Sequence, residues 1–245
     1  MPRDEPVNRD RRALLAAGGA LVGLALWPLR TSAQNKLRIG VIGSGHIGGT
    51  IGGLWVKAGH PVLFSSRHPD ELKDLMTSLG ELAQAGSVER AIAFGDVLFI
   101  AVPYAALPRI GEDYGAALKG KIMLDACNAV ATRDGGALAD EVGREGVGVV
   151  SQKYLTGARL VRAFNTLSYK IFATEANRPD PKVAVPVAGD DSEAVQTAAG
   201  LVRDAGFDPV VVGKLADASR FQRGGPGYGQ AVSAAELKQK LSLTP

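Results

Sequence analysis

The chain has 245 residues, with 28 Lys or Arg against 25 Asp or Glu, a net charge of +3 and 46% hydrophobic residues. This is ordinary for a globular protein and long enough for one large α/β domain. No basic cluster with interleaved aromatics occurs, which argues against a nucleic-acid partner, and the single Cys127 excludes an internal disulfide.

Residues 1–33 read as a twin-arginine-type signal peptide. Arg9-Asp10-Arg11-Arg12 opens it, an apolar stretch over 13–29 follows, and Thr31-Ser32-Ala33 resembles a small-residue cleavage site. The expected location is the periplasm. The alternative is an uncleaved anchor in the inner membrane, although the apolar stretch is short for a span and rich in Ala and Gly. Five basic and three acidic residues fall in this segment, so the remainder is nearly neutral, with 23 basic and 22 acidic.

Residues 36–67 carry the most information. The apolar run 37–42 predicts a buried strand and ends in Gly43-Ser44-Gly45-His46-Ile47-Gly48. A helical pattern comes next, and a second apolar run, 62–64, closes in Ser65-Ser66-Arg67. Strand, glycine turn, helix and strand in this order build a dinucleotide site. Gly43 permits the tight turn, Gly45 lets the backbone approach a pyrophosphate, and Gly48 lets the helix pack close to the strand. The helix start turns free N–H groups and the positive dipole end toward the phosphates. An NAD site usually has an acid at the end of the second strand, about 20 residues on, to accept from the ribose 2′-hydroxyl. Here two hydroxyls and a guanidinium stand instead. Arg67 can grip a 2′-phosphate bidentately and Ser65 or Ser66 can donate to it, which points to NADP(H). The competing reading makes Arg67 a solvated loop residue paired with Asp70 or Glu71.

Beyond this unit, a helix is predicted over 69–86, starting near Asp70, and a small strand or helix start over 87–94. Residues 96–103 form a continuous apolar run, a central parallel strand ended by Pro103. A helix over 105–117 and a strand over 121–125 precede Cys127, read as a buried small hydrophobe. A helix over 135–144, then strands over 160–164 and 183–188, continue the alternation. Asp190 and Asp191 read as a turn and helix-start feature, with Ser192 as N-cap of a helix over 193–205. A strand over 207–212, a break at 224–227 and a short helix over 234–241 complete it. The class is α/β, a Rossmann-type doubly wound, mostly parallel sheet with a small C-terminal extension. Residues 36–165 are expected to be the NADP-binding domain and 166–245 an α/β portion completing the acceptor site.

No Tyr-x-x-x-Lys pair, GxSxG or HExxH is present, and His46, His60 and His68 have no metal-ligand spacing. Hydride transfer asks the protein mainly to stack two rings in register, so no catalytic residue is assigned. His46 can touch a phosphate or the nicotinamide amide, or stay solvated. Tyr104 can stack on an acceptor ring or pack, Asn165 can orient a carboxamide or cap a helix, and Tyr228 can close over the site or form a surface turn.

Taken together, IGVIGSGHIGG, GHPVLFSSR, DVLFIAVPY, VRAFNT, AVPVAGDDSEA and DAGFDPVVVGKL make residues 36–220 resemble the coenzyme F420-dependent NADP oxidoreductase family and its relatives among predicted dinucleotide-binding reductases. The resemblance implies that Ser44, Gly45, His46 and Ile47 line the pyrophosphate, and that Ser66 and Arg67 hold the 2′-phosphate. It implies Val102 and Pro103 beside the nicotinamide ribose, and Asn165 and Thr166 close to the nicotinamide ring. Two departures stand out. Glu71 occupies the place of a family lysine, and DASRFQRGGPGYGQ replaces a long apolar helix that helps wall the deazaflavin pocket.

The expected activity is NADP(H)-dependent hydride transfer between the nicotinamide and a flavin-like, deazaflavin or small carbonyl or imine acceptor, with flavin or coenzyme F420 among the acceptors. The alternative is a non-catalytic NADP-binding redox sensor or scaffold. The expected partners are a small-molecule redox acceptor and a second copy in a homodimer, with membrane contact only through an uncleaved leader.

Overall fold

The computed structural model describes residues 36–243, so the leader reading over 1–33 lies outside the described residues. Eight strands form one sheet: β1 (Ile39–Ile42), β2 (Val62–Ser65), β3 (Ala83–Gly86), β4 (Val97–Ile100), β5 (Ile122–Asp125), β6 (Arg159–Arg162), β7 (Ala184–Gly189) and β8 (Asp208–Gly213). Their spatial order is β3-β2-β1-β4-β5-β6-β7-β8. Every neighbouring pair is parallel except β6 and β7, which meet antiparallel through Val161–Gly189 and Arg162–Ala188. β1, β2 and β4 are buried along their full length, as continuous apolar runs in a doubly covered sheet should be. The fold is thus the Rossmann-type doubly wound α/β class expected, and the strand order reverses beside β1, where ligands gather in such sheets.

The helices are α1 (His46–Lys57), α2 (Lys73–Leu79), α3 (Val88–Phe94), α4 (Leu107–Leu118), α5 (Ala131–Asp134), α6 (Gly136–Glu145), α7 (Val147–Tyr154), α8 (Tyr169–Glu175), α9 (Ser192–Asp204) and α10 (Ala234–Lys240). The single helix expected over 69–86 is in fact three elements. A 3-10 turn, Pro69–Leu72, runs into α2, and Gly80, at φ +83°, ends the helix and releases the chain into β3. β3 reads Ala-Gln-Ala-Gly, which has no strand propensity of its own; pairing with β2 makes it a strand. α5, α7 and α8 were not expected. The N-cap of α9 is Asp191 rather than Ser192, its carboxylate accepting from the Ala194 N–H at 2.9 Å.

An aromatic cluster joins the first helix to the last strands. Trp55 on α1 meets Phe99 and Phe164 edge-to-face at 5.0 and 5.7 Å between centroids, and Phe172 and Phe207 extend the set. Full burial of such rings stabilises by about 1.5–3 kcal/mol each, with the edge geometry adding to it. The Trp55 indole N–H donates to the Leu201 carbonyl at 2.8 Å, so α1 and α9 are pinned across the core. Phe164 reaches this cluster by adopting φ +60°, a left-handed conformation that turns the chain sharply after β6. Tyr104 is also fully buried. Its hydroxyl lies 3.1 Å from the Val147 carbonyl and 3.0 Å from Ser151, and burial pushes its pKa up, so it packs rather than stacking on a ligand.

Candidate dinucleotide and acceptor site

The glycine turn joins β1 to α1. Gly43 has φ +95°, which lets the chain leave the strand abruptly. A Cβ at Gly48 would run into the Gly43 carbonyl oxygen, so only glycine allows α1 to sit this close to the strand. Gly45, the N-cap of α1, is different: a Cβ there would meet no protein atom within 4 Å. The space beside the first turn of α1 is open, and the leading N–H groups of the helix face it without intrahelical partners. Ser44 ties the turn to the end of β2, its hydroxyl donating to the Ser65 carbonyl at 2.8 Å.

At the end of β2 the two serines part company. Ser65 is fully buried and its hydroxyl donates to the Val41 carbonyl at 2.9 Å, which corrects the expectation that it donates to a 2′-phosphate. Ser66 is partly exposed. Its oxygen accepts from the His68 N–H at 3.0 Å, leaving the hydroxyl proton free for a ligand. Arg67 is exposed and makes no ion pair with Asp70, Glu71 or any other described residue.

A cleft of about 510 Å³ opens beside the glycine turn. Of the residues singled out in the sequence, His46, Ile47, Val102, Pro103 and Asn165 line it. Thr166 does not: its hydroxyl is buried without a partner, and it contributes through its carbonyl, which accepts from the Gly229 N–H at 2.9 Å. Asn165 is 3% exposed. Its amide donates to the Phe221 carbonyl at 3.2 Å and to Asn128 Oδ1 at 3.3 Å, while its own Oδ1 has no partner among the described residues. A buried acceptor left unpaired beside a cleft is what a ligand amide or hydroxyl would satisfy.

Beneath the cleft lies an ion pair that sequence reasoning missed. Asp125 and Arg162, both fully buried, end β5 and β6 and pair with each other. Arg162 also donates to the Cys127 carbonyl at 2.6 Å, and Asp125 Oδ1 accepts from the Cys127 N–H at 2.7 Å. The pair thus fixes the loop Ala126-Cys127-Asn128 that forms part of the cleft lining. Burial, with the nearby Asp125 charge, pushes the Cys127 thiol well up, so it behaves as the small hydrophobe expected. The only sequence signal was a charged residue ending each of two apolar strands.

Other lining residues were missed or only partly anticipated. Tyr169 stacks flat on His46, with centroids 4.2 Å apart and planes 9° apart. Arg133 and Arg223 also line the cleft, as does Tyr228, which was expected either here or in a surface turn. No spacing rule links these residues, because they come from separate parts of the chain: Arg133 from α5, Tyr169 from the start of α8, and Arg223 and Tyr228 from the segment before α10. Among the described residues, no cluster of His, Cys, Asp or Glu could hold a metal ion, and no helix is long and apolar enough to cross a membrane.

An open glycine cradle at a helix start, at the switch point of a doubly wound sheet, defines a dinucleotide-binding protein of the Rossmann class. More narrowly, residues 38–129 match the family described as NADP oxidoreductase, coenzyme F420-dependent. Among curated proteins the chain is similar to Metalloreductase STEAP3 of Rattus norvegicus, 29% identical over 192 residues, which are 76% of this chain and 36% of that protein. The chain therefore spans about a third of that relative's length. Among solved structures it is similar to the hypothetical protein SMa0349 from Sinorhizobium meliloti, with TM-score 0.70 and 26% identity over 81% of this chain and 95% of that one. A candidate F420-dependent NADP reductase from Arthrobacter sp. FB24 shares the fold, with TM-score 0.65 and 21% identity over 75% of this chain and 87% of that one.

Proposed function

We propose that the protein binds NADP(H) and transfers hydride between its nicotinamide and a small redox acceptor, of flavin-like, deazaflavin, carbonyl or imine type. The observation that carries this reading is the end of β2. There Ser66 and the unpaired Arg67 stand where a carboxylate would mark an NAD site. A guanidinium and a hydroxyl can both bind a 2′-phosphate, whereas an acid would repel it.

The residues divide the work as follows. The N–H groups at the start of α1, with the open space at Gly45, would receive the pyrophosphate. Asn165 Oδ1, lacking a partner, would accept from the carboxamide and fix which face of the ring looks into the cleft. The nicotinamide, when bound, supplies the hydride chemistry. The chain contributes orientation and partial exclusion of water, through Val102, Pro103 and the floor held by Asp125 and Arg162.

The test is to mix the protein with NADPH and a panel of flavins, a deazaflavin, quinones, carbonyl compounds and cyclic imines, following loss of nicotinamide absorbance. Turnover with one acceptor class supports the reading. Tight NADPH binding with turnover on none of them would favour a non-catalytic sensor or scaffold.

A further inference from the structure

The segment after the 3-10 turn Leu215–Phe221 crosses back to the cleft as a strap over residues 222–229. It is pinned at both ends. Gln222 Oε1 accepts from the Val147 N–H at 2.9 Å, and the Gly229 N–H donates to the Thr166 carbonyl at 2.9 Å. Between these points the Tyr228 N–H donates to the Gly225 carbonyl at 3.1 Å. The strap therefore presents two side chains to the cleft from a fixed backbone, Arg223 and Tyr228.

The charges around them do not cancel. Arg133 is matched by Asp134, which it meets at 2.8 Å, and it also donates to the Asn128 carbonyl at 2.7 Å. Arg223 is exposed and has no hydrogen bond or ion pair to any described residue. No Asp or Glu lines the cleft, and Asp125 below it is committed to Arg162. A concave site with one unbalanced cation draws anions and concentrates them at its mouth.

We propose that the acceptor of this cleft carries a carboxylate, gripped by the Arg223 guanidinium and by the Tyr228 hydroxyl. The inference rests on the reading that the cleft takes NADP(H) and an acceptor together, and it narrows the acceptor to an anionic class. A guanidinium offers a carboxylate two parallel N–H donors, and a phenol at the same rim can donate a third bond.

The experiment compares oxamate, a small carboxylate, with oxamide, its neutral counterpart. Each is titrated by calorimetry into the full chain with saturating NADPH, for the wild type, Arg223→Ala, Arg223→Lys and Tyr228→Phe. The expected result is oxamate binding at least about tenfold tighter than oxamide. Arg223→Ala should remove that preference, Arg223→Lys should restore part of it, and Tyr228→Phe should cost less than Arg223→Ala. Circular dichroism and the melting temperature report that each variant is folded. Equal binding of the two probes, including no binding of either, or an Arg223→Ala protein that keeps the preference, would overturn the proposal. Absence of NADPH heat in the wild type would instead remove the cofactor reading, and oxamate titrated into the free chain would still decide the role of Arg223.

Discussion

Asp125 and Arg162 stand directly opposite each other in the parallel register of β5 and β6, and both side chains are fully buried. Each neutralises the other, and together they hold the Cys127 loop by its N–H and its carbonyl. Removing one partner leaves an uncompensated buried charge, which costs about 3–5 kcal/mol. Asp125→Asn and Arg162→Met should each lose stability of that order in urea unfolding followed by tryptophan fluorescence. The double variant Asp125→Asn/Arg162→Met should lose less than the two single losses combined. Additive losses would mean that the pair is not coupled.

The glycines of the turn predict opposite behaviours. Gly48→Ala forces a methyl group into the Gly43 carbonyl and should destabilise the fold by about 1–3 kcal/mol. The Cβ of Gly45→Val would meet no protein atom within 4 Å, so its melting temperature should stay near the wild type while NADPH binding is lost. Thermal unfolding and calorimetry on the same two preparations check both halves. Unchanged NADPH affinity in Gly45→Val would remove the cradle.

Arg67 should act on one cofactor only. Arg67→Ala should weaken NADPH by about 10- to 100-fold, the range of a lost hydrogen bond to a charged group, and leave NADH nearly unchanged. Arg67→Asp should go further by repelling the phosphate. Dissociation constants for both nucleotides, measured at one salt concentration, decide it; parallel losses would rule out contact with the 2′-phosphate.

The N-cap of α9 predicts a pH dependence. Hydrogen bonds from Arg159 and from the Ala194 N–H hold the Asp191 carboxyl down to about 2, below the ordinary carboxylate range. A carboxyl lowered in the folded state contributes stability that is fully present above its unfolded pKa of about 3.9 and is lost as pH falls through the folded value. Wild type and Asp191→Ala should therefore differ by a constant margin above about pH 5, converging between about pH 4 and pH 2. Urea midpoints across that range test this, and a margin that does not shrink would assign the effect elsewhere.

Cys127 is buried and its thiol is pushed well up, so little thiolate forms at neutral pH. The native protein should react negligibly with a disulfide reagent such as dithionitrobenzoate and fully once unfolded in guanidinium. Fast reaction in the native state would place the sulfur at an open surface.

The parts of the fold legible in the sequence were those written in local pattern. The runs at Leu37 and Val97, the glycine turn and the Ser-Arg pair each carry their meaning within a few residues. β3 was illegible because Ala83 to Gly86 becomes a strand only by pairing with β2. The choice between Ser65 and Ser66 was open because both are small hydroxyls at a strand end; only the register shows that Ser65 is satisfied by Val41. Tyr169, Arg133 and Arg223 could not be assigned, since they meet His46 and Asn165 in the cleft only after the chain has wound back through the sheet.

That return path sets an order of assembly. The turn at Gly43 to Gly48 and its partner strand leave the ribosome early, but Asn165 gains its bond to Phe221, and Thr166 its bond to Gly229, only when the strap has been synthesised. A nascent chain therefore holds half a cleft for most of its translation, and the wall that carries Arg223 and Tyr228 arrives after the rest.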